Sequence, residues 1–303
     1  MSEAGTPTFT PEQLAIFQRM VTPTDFDPSV IARKHLNVQY GKLPEQILDV
    51  YLPDEGEGPW PLIIYVHGGG WAMGSKTLGA LDCIIGAIRQ GYALISIDYR
   101  LAPKVKFPEF LYDVKTAVRW ARANAAQYGF LPHKIGMIGD SAGGHLTLMT
   151  GFTAGHPEYE GEEYGWPGVS SAVQAIVDLY GPTCLDADRD AWVAEAGIPS
   201  LGMGGDGPSI YDTAFSADKD MLKLISPISY VHRDIPPTMI LQGGSDPVVP
   251  KQHSILLKDK IRAVCGEARV DLRLYGERTH SDAAFMTEKT CVEIVRFFDR
   301  YLK

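Results

Sequence analysis

Residues 137–145 read MIGDSAGGH, a stretch in which one serine, Ser141, stands among several glycines. The preceding KIGMIG has the pattern of a buried strand and AGGHLTLMTG that of a helix, so Ser141 is predicted on a strand-to-helix turn. Gly139 and Gly143 flank the serine, where a Cβ would collide with the backbone of such a turn. The pattern G-x-S-x-G in this setting predicts a nucleophilic serine, and an ordinary turn serine is the alternative.

The rest of the chain alternates between short β-rich runs and helical patterns. Strands are predicted at 47–52, 61–67, 92–99, 134–140, 172–180, 238–244 and 269–275. Helices are predicted at 78–90, 109–128, 142–153, 251–264 and 287–302. Because most of these strands are apolar throughout, we expect them to be buried on both faces. The sequence therefore predicts an α/β fold, with a mostly parallel central sheet flanked by helices.

Two segments interrupt this alternation. Residues 1–40 contain one predicted helix and loops rich in Pro, Thr and Asp, and we expect this N-terminal segment to contribute to a cap. Residues 182–235 are rich in glycine and longer than an ordinary connection, which predicts a small lid-like insertion, with an exposed loop as the alternative. Residues 41–303 then form the main domain, with the insertion inside it.

The composition excludes several classes of partner. The 303 residues carry a formal net charge of −9 without a Lys- or Arg-dense patch, which argues against nucleic acid and against an anionic membrane surface. The apolar runs are far shorter than the roughly 20 residues that span a bilayer, and MSEAGTPTFTPEQ lacks the features of a secretory signal. The four scattered cysteines have no metal-ligand spacing, so we expect no metal, no cofactor and a cytoplasmic location.

A serine nucleophile needs a base and a carboxylate that orients the base, and two later strands offer them. Asp246 follows the run TMILQGG, and His280 follows RVDLRLY, which gives the chain order Ser, Asp, His. Asp178 and Asp282 also end or follow strand-like runs, so they compete for the carboxylate role. Asp246 has a structural alternative as well, because Asp before Pro is common at helix starts.

The stretch His67-Gly-Gly-Gly-Trp71 follows the predicted strand PLIIYVH. A glycine run allows close backbone approach to a substrate, and its amides, together with that of Ala142, would stabilise an oxyanion. A flexible glycine loop or a phosphate-binding loop are the alternatives, but Gly74-Ser75-Lys76 lacks the spacing of a phosphate loop. The glycine run therefore favours acyl transfer.

Together, HGGGW, GDSAGG, GGSDP and the late histidine resemble the α/β-hydrolases, and more narrowly the hormone-sensitive-lipase-like carboxylesterases and the feruloyl and acetyl esterases. The resemblance runs from about residue 46 to 300 and includes ISIDYRLAPKVKFPEFLYDVKTAVRW. It implies an α/β-hydrolase fold, Ser141 as nucleophile, His280 as base and Asp246 as its orienting carboxylate. It further implies that the amides of Gly69, Gly70 and Ala142 form the oxyanion hole.

Two local features depart from these families. The motif D-P-L-x-D of the hormone-sensitive-lipase-like group is replaced by Asp246-Pro-Val-Val-Pro250, which resembles the feruloyl-esterase-like branch. That branch often has a glycine after its histidine, whereas Ser281 follows His280 here. The resemblance also implies that His67 shapes its loop and carries no proton.

The function that these residues predict is hydrolysis of small-molecule carboxylic esters of short acyl or aryl type through an acyl-serine. An amidase such as an arylformamidase, with the same triad, is one alternative, and a non-catalytic binding protein on this fold is another. Aromatic and apolar residues are candidates for the substrate pocket: Trp71, Trp192, Met203, Tyr211 and Phe215. The sequence leaves open whether the chain forms a homodimer.

Overall fold

The computed structural model describes residues 26–187 and 219–303, together with residues 11, 14, 15, 18, 19, 22, 191, 192, 214 and 215. Its strands are β1 (Lys34–Gln39), β2 (Ile47–Tyr51), β3 (Trp60–Val66), β4 (Ala93–Ile97), β5 (Phe130–Asp140), β6 (Ala175–Leu179), β7 (Thr238–Gly243) and β8 (Val270–Tyr275). They form one sheet in the order β1-β2-β4-β3-β5-β6-β7-β8. The pairs β1·β2 and β2·β4 are antiparallel and all others are parallel, which confirms the predicted mostly parallel sheet.

Helices cover both faces of this sheet. The α-helices are α1 (Glu109–Ala123), α2 (Ala125–Tyr128), α3 (Ala142–Phe152), α4 (Pro157–Glu160), α5 (Lys219–Leu224), α6 (Gln252–Cys265) and α7 (Glu288–Leu302). Short 3-10 helices lie at Pro28–Val30, Gly79–Cys83, Ile85–Gln90, Glu162–Tyr164, Pro227–Tyr230, Glu267–Arg269 and Ala283–Met286.

Strand β3 shows why the predicted strands have no polar face. Leu62, Ile64 and Val66 belong to one hydrophobic cluster, which includes residues of α1 and α3. Ile63 and Tyr65 point to the opposite face and join a second cluster with residues of α7. Alternate side chains of a strand point to opposite faces, so a strand covered on both sides is apolar at every position.

Two predictions of local structure are wrong. The single helix predicted over 78–90 is instead two 3-10 helices, separated where Ile84 has φ −130° and ψ −15°. Glycine is a weak helix former, and the presence of Gly79 and Gly86 disfavours a continuous α-helix. Residues 34–39, assigned by the sequence to an N-terminal segment of one helix and loops, form the edge strand β1 of the sheet. A cap role for the remainder of residues 1–40 stays a prediction.

The junction of β5 and α3 is packed too tightly for side chains. A Cβ at Gly139 would lie 2.4 Å from the Gly143 carbonyl oxygen, and one at Gly143 would lie 2.0 Å from the Val66 carbonyl oxygen. These distances are well below van der Waals contact, so α3 approaches β3 and β5 only because both positions are glycine.

Replacing Gly143 with alanine should therefore destabilise the fold, because the new methyl group meets backbone rather than a movable side chain. We expect Gly143→Ala to lower the free energy of unfolding by about 3 kcal/mol, measured by urea denaturation. Gly86→Ala is the matched control, since its Cβ would meet only the Cys291 sulfur at 3.3 Å. Equal stability of the two variants would contradict this packing.

Candidate active site

Ser141 lies on the turn between β5 and α3, in a backbone conformation that a residue with a side chain rarely adopts. Its φ is 52° and its ψ is −118°. The Ser141 amide donates a 2.8 Å hydrogen bond to the carbonyl of Leu179 on the neighbouring strand β6. Such strain costs on the order of 1–3 kcal/mol and persists only where the surrounding structure holds it. The turn thereby presents the hydroxyl at the carboxyl edge of the sheet.

The structure brings Ser141, His280 and Asp246 together. The His280 Nε2 atom lies 3.0 Å from Ser141 Oγ, and its Nδ1 atom lies 2.7 Å from Asp246 Oδ2. All three side chains are buried. An ionised carboxylate only accepts hydrogen bonds, so His280 Nδ1 carries the proton and Nε2 accepts from the serine hydroxyl. This arrangement allows the imidazole to remove the serine proton.

The Asp246 carboxylate is fixed by its own loop and by strand β7. Its Oδ1 atom accepts hydrogen bonds from the amides of Val248 at 2.8 Å and Val249 at 2.9 Å. Gln242, on β7, donates to Oδ2 at 3.2 Å and is itself held by the Ser254 hydroxyl at 2.9 Å. The backbone contacts of Asp246 lie within its own loop, and it does not cap a helix, because α6 begins at Gln252 with Lys251 as its N-cap.

The competing carboxylates make other contacts. Asp282 accepts from the Ala284 amide at 2.9 Å and caps the 3-10 helix that begins at Ala283. Asp178 accepts from the Gly181 amide at 2.9 Å. Within the described ranges, Asp246 is the carboxylate that is hydrogen-bonded to His280.

The glycine loop after β3 adopts left-handed backbone conformations. Gly69 has φ +103° and Gly70 has φ +59°. The Gly69 carbonyl accepts hydrogen bonds from the amides of Ala72 at 3.2 Å and Met73 at 3.1 Å, and a Cβ on Gly69 would lie 2.2 Å from the Met73 carbonyl oxygen. In the part of the chain that the structure describes, no hydrogen bond uses the amides of Gly69, Gly70 or Ala142. These donors are therefore available to a ligand.

Asp140 joins the glycine loop to the serine turn. Its Oδ1 atom accepts hydrogen bonds from the Gly68 amide and the Tyr65 hydroxyl, both at 2.9 Å. Burial raises the pKa of Asp140 to about 6, although both hydrogen bonds favour the carboxylate. Sequence reasoning did not assign Asp140 a role, and its place as the x before the serine in G-x-S-x-G is the available signal.

His67 shapes the glycine loop from within. Its Nδ1 atom donates to the Gly68 carbonyl at 2.7 Å, and its ring stacks on Tyr99 with centroids 4.3 Å apart. Burial lowers the pKa of His67 to about 4, so the ring is neutral near pH 7. Its hydrogen bond is to the backbone of its own loop, as the loop-shaping prediction requires.

The residues predicted to line the substrate pocket differ in their burial and in whether the structure describes them. Trp71 and Phe215 are each 2% exposed and pack edge-to-face with ring centroids 4.6 Å apart, so in this structure they are core residues. Trp192 is half-buried, with its ring perpendicular to His253 at 5.2 Å, and its substrate contact stays a prediction. Met203 and Tyr211 lie outside the described residues.

Two further classes of site are not seen in the described ranges. No group of three or more His, Cys, Asp or Glu side chains there is arranged to hold a metal ion. None of the helices described is both long enough and apolar enough to cross a membrane.

Asp178 is a buried carboxyl group packed against α3 just after the serine turn. Its Oδ1 atom would lie 2.2 Å from a Cβ on Gly144 and 2.4 Å from one on Gly181. Among the residues that the structure describes, its Oδ2 atom has no hydrogen-bond partner. Burial raises the pKa of Asp178 to about 7, so the folded protein favours the protonated form.

This raised pKa predicts a pH-dependent stability. As pH rises from about 4 to 7, the unfolded chain loses the Asp178 proton while the folded chain retains it, so stability falls across that window. Asp178→Asn removes this dependence, and the variant should gain roughly 2–4 kcal/mol relative to wild type between pH 4 and 8. Urea unfolding of both proteins at several pH values measures this, and parallel pH profiles would contradict it.

Residues 48–261 match the model of the protein family described as BD-FAE. Esterase LipC of Mycobacterium tuberculosis is 34% identical over 228 residues, which are 75% of this chain and 55% of that protein. The chain spans about half the length of the curated relatives that it matches.

Solved structures give the same fold. A truncated carbohydrate esterase from gut microbiota superimposes with a TM-score of 0.75 at 26% identity, covering 92% of this chain and 99% of that one. A bifunctional GH43-CE protein of Bacteroides eggerthii gives a TM-score of 0.74 at 28% identity, covering 88% of this chain and 35% of the other. The chain has the α/β-hydrolase fold and belongs to the BD-FAE family.

Proposed function

We propose that this chain is a serine carboxylesterase that cleaves small carboxylic esters of short acyl or aryl type through an acyl-serine intermediate. The observation that carries the proposal is the continuous hydrogen-bonded path from Asp246 through His280 to Ser141. Beside it lie the amides of the glycine loop, for which the described residues provide no hydrogen-bond acceptor. The esterase names of the relatives support the same chemistry. Family membership alone would not assign these roles, because one fold serves many functions.

In the first half of the reaction, Ser141 Oγ attacks the ester carbonyl carbon while His280 Nε2 takes the hydroxyl proton. The carbonyl oxygen becomes an oxyanion that the amides of Gly69, Gly70 and Ala142 stabilise. Each such donor typically contributes about 10²–10³ in rate. His280 then gives its proton to the leaving alcohol, and the acyl group remains on Ser141.

In the second half, water hydrolyses the acyl-serine with the same base. His280 takes a proton from the attacking water and returns it to Ser141 Oγ, which restores the starting enzyme. Asp246 remains ionised throughout, holds the imidazole in the reactive tautomer and stabilises its positive charge. The chemistry of these residues requires no metal or cofactor.

A small cavity lies beside the catalytic residues. It has a volume of about 240 Å³, below the 300–1,000 Å³ typical of drug-sized ligands. Asp140, which precedes Ser141, and Ser281, which follows His280, both line it. The triad side chains and the glycine loop are not among its described lining residues, so the proposal of small substrates is supported by the esterase relatives rather than by this cavity.

The lining of this cavity combines apolar side chains, among them Leu78, Ala80 and Met286, with polar ones. Charged and hydroxyl groups contribute to it: Arg19, Thr22, Asp82 and Tyr180. One structurally similar protein is described as a carbohydrate esterase, which supports an acylated sugar as one substrate class to test. We infer a cytoplasmic location from the four free cysteine thiols, and the homodimer question stays open.

An ester panel on wild type tests the proposed function. We expect p-nitrophenyl acetate and butyrate to be cleaved with far higher kcat/KM than the palmitate ester. Formylkynurenine and an acetylated sugar test the arylformamidase alternative and the carbohydrate class. A preference for palmitate would contradict the short-acyl assignment, and faster turnover of formylkynurenine than of any ester would favour the amidase.

Ser141→Ala should reduce kcat by about 10⁴-fold or more, because it removes the nucleophile. Ser170→Ala, at an exposed position, is the matched control and should behave as wild type. Ester hydrolysis that survives in Ser141→Ala would reject the triad and favour a non-catalytic role for the site.

Asp246→Asn tests the orienting carboxylate separately. The amide keeps the shape but no longer selects the Nδ1–H tautomer, so kcat should fall by about 10³–10⁴. Asp282→Asn serves as the control, because Asp282 caps a helix and should affect only stability. Similar losses of kcat in both variants would contradict the assignment of Asp246.

A further inference from the structure

Trp71, the residue after the glycine loop, is held in a conformation that a large side chain disfavours. Its φ is +62°, and it directly follows Gly70 with φ +59°. Left-handed backbone is uncommon for residues with a Cβ, so surrounding contacts must hold it. Its carbonyl accepts a hydrogen bond from the Ala102 amide at 2.8 Å. The indole is almost fully buried, so its own contacts matter as well.

His145 supplies one of these indole contacts from the helix that carries Ser141. It lies one turn into α3, where its amide donates to the Ser141 carbonyl at 3.0 Å. The Trp71 Nε1 atom is 3.3 Å from His145 Nδ1, and His145 Nε2 is 2.7 Å from the Ile225 carbonyl oxygen. The imidazole therefore connects three separate parts of the chain.

The partners of His145 determine its protonation. An indole N–H only donates and a carbonyl only accepts, so Nδ1 must be unprotonated and Nε2 must carry the hydrogen. Burial lowers the pKa of His145 to about 4, which agrees with a neutral ring. A charged ring would turn an N–H toward the indole N–H and lose that hydrogen bond.

Trp71 and His145 also contact residues of the predicted insertion over residues 182–235. The Phe215 ring packs against Trp71 at 4.6 Å and against His145 at 5.9 Å. The carbonyl of Ala214 accepts from the Phe107 amide at 3.2 Å. Ile225, the second partner of His145, lies in the same stretch. The described part of the insertion is thus attached to the glycine loop through His145 and Trp71.

We propose that His145 is a positioning residue that holds the glycine loop in place relative to Ser141. From its place on α3, its imidazole accepts a hydrogen bond from the Trp71 indole and donates one to the Ile225 carbonyl. The inference rests on the proposed function. Gly69 and Gly70 directly precede Trp71, whereas Ala142 is at the start of α3. The hydrogen bond between Trp71 and His145 therefore fixes the three amides relative to each other, although neither side chain touches the reacting atoms.

This role predicts which kinetic constant changes. Oxyanion contacts form fully only in the transition state, so a misplaced loop should lower kcat and leave KM nearly unchanged. Trp71→Phe keeps an aromatic ring and removes the N–H donor. Loss of one hydrogen bond of this kind corresponds to about a fivefold to tenfold decrease in kcat.

The experiment measures kcat and KM on p-nitrophenyl acetate for Trp71→Phe, His145→Gln and the double variant, with the Ki of phenylboronic acid as a second readout. We expect each single variant to lower kcat about fivefold to tenfold, to raise Ki in proportion and to keep KM within about twofold. The double variant should lose little more than one single variant, because both remove the same interaction.

Trp166→Phe is the matched control. Trp166 also has a left-handed φ, +58°, and its indole donates to the Tyr40 carbonyl at 2.9 Å. Its substitution should lower stability without changing kcat. The positioning role would be overturned if Trp71→Phe lowered kcat no more than Trp166→Phe does. Fully additive losses of kcat in the double variant would also overturn it. A wild type inactive on every ester rejects the proposed function and this inference together, whereas an active wild type with an unchanged Trp71→Phe rejects this inference alone.

Discussion

The close approach of β3, β5 and α3 around Ser141 is the constraint on which the rest of the site depends. The Ser141 backbone is held at φ 52° by this packing. Because Gly139 and Gly143 have no Cβ, the carbonyl groups of Gly143 and Val66 can occupy the space that a Cβ would fill. This packing sets the hydroxyl at the sheet edge and the Ala142 amide beside it. The strain is maintained by the buried sheet beneath, whose strands are apolar on both faces.

The hydrogen-bond partners of the buried carboxyl groups then determine which of them can orient His280. Asp246 receives two backbone amides, a glutamine amide and the imidazole, so its charge is stabilised although the group is buried. Asp140 and Asp178, also buried, have far fewer donors, and burial raises the pKa of each. The hydrogen-bond partners of Asp246, above all His280, thus distinguish the orienting carboxylate from the structural ones.

The sequence could predict the features that depend on local pattern and chain order. All strands except β1 follow from apolar runs, and Asp246 and His280 could be located because each follows a strand. Strand β1 was missed because most of its residues, from Lys34 to Gln39, are exposed and carry no apolar pattern. The roles of Asp140, Gln242 and His145 depend on which side chains meet from separate elements, and the burial of Trp71 depends on Phe215. No spacing in the chain contains that information.

Covalent labelling of the serine tests the central claim most directly. Diethyl p-nitrophenyl phosphate reacts with an activated serine, whose Oγ bonds to phosphorus as p-nitrophenolate leaves, and the product is stable enough for peptide mass spectrometry. The account predicts one diethylphosphoryl group per chain on Ser141, with ester hydrolysis lost in parallel, and no label in His280→Ala. Label on a different residue, or hydrolysis that continues in fully labelled protein, would contradict it.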